Sequence, residues 1–236
     1  MVEFALLGSL DVRRDGETVA LRRGRPRAVL VALLLRAGRV VPTEVLIEQV
    51  RPKLELLGQE LTPYMTDLTG EEMYPHVAKH ARRTVNPPKD TWVAWASNKR
   101  GYKAYPHFEV GMFSTHVFIV FAIIYESPNK VVFGEQLKSR IEDIPGIVPG
   151  HYYWSMNHMS PEGTPQSDTG PKALREIADR LSQVKKSEVV CGIRLDRDDA
   201  RLNDGQGLLS LIQSTFKQLL PLYKMAFASA DDLVIR

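Results

Sequence analysis

Apolar residues along this chain change spacing several times, and each change marks an element. Leu46, Val50, Leu54, Leu57 and Leu61 form one stripe at helical spacing. Thr43 is placed to cap that helix and Pro52 to kink or restart it. Beyond it, short β-prone runs predict strands at 73–81, 91–96, 107–113, 117–126, 152–158 and 188–195. Helical periodicity predicts helices at 130–144, 171–184 and 207–225. Leu174, Ile177, Ala178, Leu181 and Val184 line one face of the second. Leu208, Leu209, Ile212, Phe216, Leu219, Leu220 and Tyr223 line one face of the third, where Pro221 can kink it. Four strands in a row before the first helix of this body predict an antiparallel meander with helices packed on it. The fold class is therefore α+β, a mainly antiparallel sheet flanked by helices.

The first fifty residues carry a separate pattern. Residues 4–7, 10–13 and 18–21 read as short strands, with Asp15-Gly16 as a hairpin turn. Pro26 suits the first turn of a helix running to Arg36, which is apolar nearly all round and therefore demands burial. Composition breaks near Val50. Before it the cations are all arginines and Phe4 is the single aromatic; after it lysine, Trp, Tyr and Phe become frequent. The organisation expected is a small β/helix segment at 1–50, an α+β domain at 51–225 and a loose tail at 226–236.

Composition otherwise narrows the classes. The net charge is +3, so basic clusters are local features. Cys191 is the only cysteine, which removes internal disulfides and multi-cysteine metal sites and fits a reducing cytoplasm. It lies in an apolar strand and reads as a buried, inert thiol. The apolar run 116–125 is about half the length that spans a bilayer. No membrane partner is expected. Phosphate loops, dinucleotide fingerprints and nucleophile elbows do not occur.

Residues 74–108 hold the candidate chemistry. Lys79, Arg82, Arg83, Lys89, Lys99, Arg100 and Lys103 surround a single acid, Asp90, with Tyr74, Trp92, Trp95, Tyr102, Tyr105 and Phe108 interleaved. Cations beside flat rings suit a phosphate-bearing, stackable ligand. Asn86 before Pro87-Pro88 makes a stiff basic loop with Arg82 and Arg83, and Lys99, Arg100, Tyr102 and Lys103 form a second one around Gly101. His76 and His80 share a face whether the segment is helix or strand. No Glu follows His76 as in a zinc-binding pair, and no third ligand stands out, so no metal is assigned. His76, His80 and His107 are instead anion contacts or acid–base groups. Trp92 and Trp95 point to opposite faces of one strand, one into the core and one available as a platform. Asn157 stands beside His158, so no acid adjoins that histidine in sequence.

Two resemblances follow from longer motifs. MVEFALLGSLDVRRDGETVALRRGRPRAVLVALLLRAGRVVPTEVLIEQV resembles the opening of the Streptomyces antibiotic regulatory protein family, a small sheet and first helix of a winged helix-turn-helix. The recognition helix that would enter the major groove has no counterpart, which argues against sequence-specific DNA binding. MYPHVAKHARRTVNPPKDTWVAWASNKRGYKAYPHFEVGMF, with RPKLELLGQEL before it and VKKSEVVCGI after it, resembles the YktB family of Firmicutes, of unassigned function. That resemblance covers about residues 51–223, implies a compact α+β domain with the topology of biotin-protein ligase catalytic domains, and makes the chain a chimera. The glycine-arginine ligand loop of those ligases is not recognisable. Three functional readings stand. The first is a binding protein for a phosphorylated ligand, nucleotide or RNA, contacted by His76, Lys79, His80, Arg82, Arg83, Asn86, Lys89, Lys99, Arg100, Tyr102, Lys103 and His107. The second is an enzyme of acyl or nucleotidyl transfer, by fold analogy, using His76, His80 or His107. The third is a DNA-binding regulator acting through residues 1–50. Cofactor and oligomeric state are not assigned.

Overall fold

In a computed structural model of the chain, residues 50–79 and 90–227 are described, together with the backbone of three short N-terminal strands. Those strands, β1 (Val2–Ala5), β2 (Asp11–Arg14) and β3 (Glu17–Val19), form an antiparallel meander. Arg14 pairs with Glu17, and the turn expected at Asp15-Gly16 lies outside the described residues. Thr43, the helix expected after Pro26 and the cations at 82–89 lie outside the described residues.

Helix α1 (Arg51–Thr69) has Pro52 in its first turn, where a missing N–H costs nothing. Leu54, Leu57, Leu61 and Met65 are its buried stripe. Pro63 interrupts the helix interior. Around it the Thr62 hydroxyl donates to the Gly58 carbonyl at 2.6 Å, and the Trp95 indole N–H lies 3.2 Å from both that carbonyl and Thr62 Oγ1. Gly70 ends the helix with φ 77°, donating its N–H to Thr66.

The main sheet contains β4 (Tyr74–Val77), β5 (Asp90–Ala96), β6 (His107–Phe113), β7 (His116–Ile123), β8 (Tyr153–Ser155), β9 (Thr164–Pro165) and β10 (Val189–Asp196). Its order is β4-β5-β6-β7-β10-β8-β9, antiparallel at every pairing. The first four strands are the expected meander. β7 is central and buried on both faces, which is why its sequence reads as a continuous apolar run.

Helices α2 (Asn129–Ser139), α3 (Ile144–Ile147), α4 (Pro171–Gln183) and α5 (Gly205–Met225) complete the fold. The single helix expected over 130–144 is broken. Arg140 leaves helical geometry, a 3-10 turn covers Ile141–Asp143, and Pro145 opens the short α3. The break turns both Ile141 and Ile144 into the core. One large core lies between these helices and one sheet face. Phe108 is at its centre, with ring centroids 5.0 Å from Phe216 and 5.2 Å from Tyr223. Ala226 is buried, and its carbonyl accepts from Asn129 at 2.9 Å.

Candidate functional site

Strand alternation decides which side chains meet on the other face of the sheet. Val93, Trp95, Phe108, Val110, Ile119, Phe121, Cys191 and Ile193 point to the helices. Their neighbours point away: His76 on β4, Trp92 on β5, His107 and Glu109 on β6, His116 on β7, Arg194 on β10 and Tyr153 on β8. A second apolar cluster on that face is built, among the described residues, of Phe113, Phe118, Val120, Ala122, Tyr153 and Val190, all on strands. This face therefore mixes a small apolar floor with buried ionisable groups, an expensive combination unless the groups are paired or used. Trp95 is the core tryptophan and Trp92 the one on the opposite face, as the spacing predicts.

His107 and Glu109 are two apart on β6 and so adjacent on one face. His107 is fully buried; its Nδ1 donates to the Tyr105 carbonyl at 2.7 Å. Its Nε2 lies 3.2 Å from Glu109 Oε1 without the alignment of a hydrogen bond. Tyr102 closes over the pair, its ring edge-on to His107 at 4.8 Å. The Tyr102 hydroxyl accepts from the Trp92 indole at 3.0 Å. Burial, reinforced by Glu109, pushes its acidity far beyond the ordinary range, so it stays a neutral phenol. His76 stands 5.9 Å from the Tyr102 ring and donates from Nε2 to the Asn98 carbonyl at 2.8 Å. Burial lowers its pKa, the Asn98 bond opposes, and nearby His107 and Lys79 lower it further.

A second histidine–carboxylate pair faces the same patch. His158 Nδ1 lies 2.9 Å from Glu188 Oε1, and the His158 backbone N–H donates to the same oxygen at 2.9 Å. Burial alone would lower the His158 pKa, but the Glu188 bond and charge, with Glu109 and Asp90 behind them, raise it. Burial likewise works to raise Glu188, and His158 outweighs it and lowers it. The acid missing at Asn157 is thus supplied from the approach to β10. Arg194 lies over the Tyr153 ring at 3.8 Å. Burial pushes the Tyr153 hydroxyl up to about 12 against the opposing effect of Arg194.

The sequence candidates divide into three groups. His76, Lys79, Tyr102 and His107 come together. Lys99, Arg100 and Lys103 are exposed on the loop that carries Tyr102, and Lys103 lies 3.6 Å from Glu126. His80, Arg82, Arg83, Asn86 and Lys89 lie outside the described residues. Glu109, Glu188, Tyr153 and Arg194 belong to the patch and were missed. The signal for one of them was present: Glu109 is the lone acid inside an otherwise apolar strand. Among the described residues no three His, Cys, Asp or Glu side chains converge as a metal site would require, and no helix is long and apolar enough to cross a membrane.

A wholly antiparallel sheet with helices on one face and a buried histidine–carboxylate patch on the other defines the class. The chain belongs to the family described as a domain of unknown function, DUF1054, whose model matches residues 42–223. A UPF0637 protein of Bacillus velezensis is 50% identical over 182 residues, covering 77% of this chain and 87% of its own length. A UPF0637 protein of Bacillus licheniformis is 47% identical over 181 residues, 77% and 86%. One of Bacillus cytotoxicus is 43% identical over 176 residues, 75% and 85%. The match begins at residue 42, inside the segment whose composition sets it apart.

Proposed function

We propose that the sheet face opposite the described helices binds a phosphate-bearing ligand, a nucleotide or a short RNA. Phosphate sits at Lys79, Lys99 and Arg100, and a ring sits against Tyr102 and His76. One observation carries this reading: those three cations are exposed and have no acid partner among the described residues, while His76 lies between Lys79 and the turn that holds Lys99 and Arg100. His107 Nε2 and the Glu109 carboxylate lie deeper in as two acceptors, suited to an amino group on the edge of a base. The test is a thermal-shift screen with inorganic phosphate, adenosine triphosphate and a short single-stranded RNA. A probe at a hundredfold its dissociation constant adds about 2.7 kcal/mol of stability. The double change Lys99→Ala/Arg100→Ala removes the shift and leaves the ligand-free melting point nearly unchanged, because both side chains are exposed. No shift with any probe, or a shift that survives the double change, overturns the reading.

A second reading, an enzyme on this face, is favoured by His158. Its Nδ1 is held by Glu188, which fixes the ring and leaves Nε2 to take a proton. Phosphate release from adenosine triphosphate, compared between the wild type and His158→Asn, tests it; equal rates sink it. A regulator-like origin for residues 1–50 is supported by the sequence resemblance and by the β1–β3 meander alone.

A further inference from the structure

The sheet face opposite the described helices holds a second cationic group that the ligand reading does not use. Arg194 is half-buried on β10, directly across from Phe118 and diagonal to His116 on β7. Its Nε and Nη2 are both buried and have no hydrogen-bond partner among the described residues. These two N–H groups lie along the same edge of the guanidinium, the side-on fork that matches two oxygens of one oxyanion. The plane of the fork is fixed. Tyr153 lies under it at 3.8 Å, and at Gly163 an added Cβ would stand 2.7 Å from Nη2 and 2.5 Å from the Tyr153 ring. Glycine at that position lets the loop close over the fork without filling it.

His116 supplies an independent pointer to the same place. It is 5% exposed, its ring rests 5.2 Å from Phe113, and its Nε2 has no partner among the described residues. Thr115 Oγ1 lies 2.9 Å from Nδ1, which leaves Nε2 as the open position. Burial and the Arg194 charge lower its pKa to about 4, against the pull of Asp196, so the ring is neutral at physiological pH and can donate one hydrogen bond. Buried donors in native proteins nearly always have acceptors. Three of them, on two neighbouring strands and one sheet face, lack one.

We propose that Arg194, with His116 beside it, is an oxyanion-binding site that takes a carboxylate or phosphate group side-on. The site is distinct from the Lys79, Lys99 and Arg100 cluster and does not depend on it.

The test follows the Arg194 Nε–H resonance by NMR, identified as the side-chain signal absent in Arg194→Lys. Sodium phosphate and sodium acetate are titrated separately, with ionic strength held constant by sodium chloride. A saturable shift is expected with at least one anion, and which anion saturates first separates phosphate from carboxylate. His116→Gln keeps the shift and moves its midpoint up by about tenfold, the loss of one hydrogen bond to a charged group. Lys99→Ala/Arg100→Ala leaves the midpoint unchanged, so failure of the ligand reading does not touch this one. A linear drift or no shift with both anions overturns the site, as does a midpoint unmoved by His116→Gln. Arg194→Lys serves only to assign the resonance; if it fails to fold, Arg194→Gln takes its place.

Discussion

His158 and Glu188 give one hydrogen bond two opposite pH dependences. The His158 pKa is raised above its usual 6.5, so its contribution is complete below 6.5 and is lost as pH rises through the folded value. The Glu188 pKa is lowered below 4.5, so its contribution is complete above 4.5 and is lost as pH falls through the folded value. The pair stabilises most between those two ordinary values. Glu188→Gln is expected to cost about 2 kcal/mol at about pH 5.5 and clearly less at about pH 8.5, where the neutral ring keeps only an ordinary hydrogen bond. Urea unfolding at both pH values checks this; an equal loss at both excludes the charge-assisted bond. His116 has the opposite sign. Its pKa is lowered to about 4, so the unfolded chain takes up a proton below 6.5 that the fold refuses, and stability falls as pH drops through that window. His116→Asn is expected to flatten the acid side of the stability curve. A curve as steep as the wild type's would place the acid sensitivity elsewhere. None of these pairings was legible by counting acids within 74–108. Glu109 lies just past that window and Glu188 reaches His158 only through folding. A linear count of charge misses compensation that crosses strands.

At the scale of elements the sequence was far more informative. β6 has the bounds expected from alternation, and α4 and α5 lie within two residues of theirs. Period-2 and period-3.6 patterns survive folding because they are what burying one face requires. Local backbone chemistry was less legible, and the break after α2 shows why. Pro145 and Gly146 mark it, yet the apolar spacing of Leu137, Ile141 and Ile144 runs on as though the helix continued. A second element-level feature had no periodic signature. Lys130 is buried on α2 and donates from Nζ to the carbonyls of Val184 at 2.9 Å and of Lys185, just past the C-terminus of α4. It satisfies carbonyls that the helix end leaves open and sits at the negative end of the helix dipole. Lys130→Met keeps most of the side chain's volume and removes both donors. The expected loss is about 2 kcal/mol, with local opening at α4 seen as faster amide exchange at Leu181–Val184 than at β7. Unchanged exchange there would show that water replaces the lysine at no cost.

For the whole molecule, the large core among the described residues runs from Val50 to Ala226, and the family match starts at residue 42. Leu54, Leu57, Leu61 and Met65 bring α1 onto the same sheet face as α5, and Trp95 ties α1 to β5 through the Gly58 carbonyl and Thr62. A fragment of residues 42–227 carries the described core, the contacts among the described helices and the seven described strands of the main sheet. It is expected to unfold in one cooperative transition, with a melting point within a few degrees of the full chain, by calorimetry. Trp95→Phe in that fragment is expected to lower stability by about 2 kcal/mol, the loss of ring volume and of an indole donor shared by two acceptors. A broad, non-cooperative melt would mean that the sheet face opposite the described helices, where Phe113, Phe118, Val120 and Ala122 are buried, depends on residues 1–41 for its cover. That outcome would also tie the ligand face to the N-terminal segment. A sharp melt that keeps the phosphate-probe shift would place the whole binding surface within the family domain.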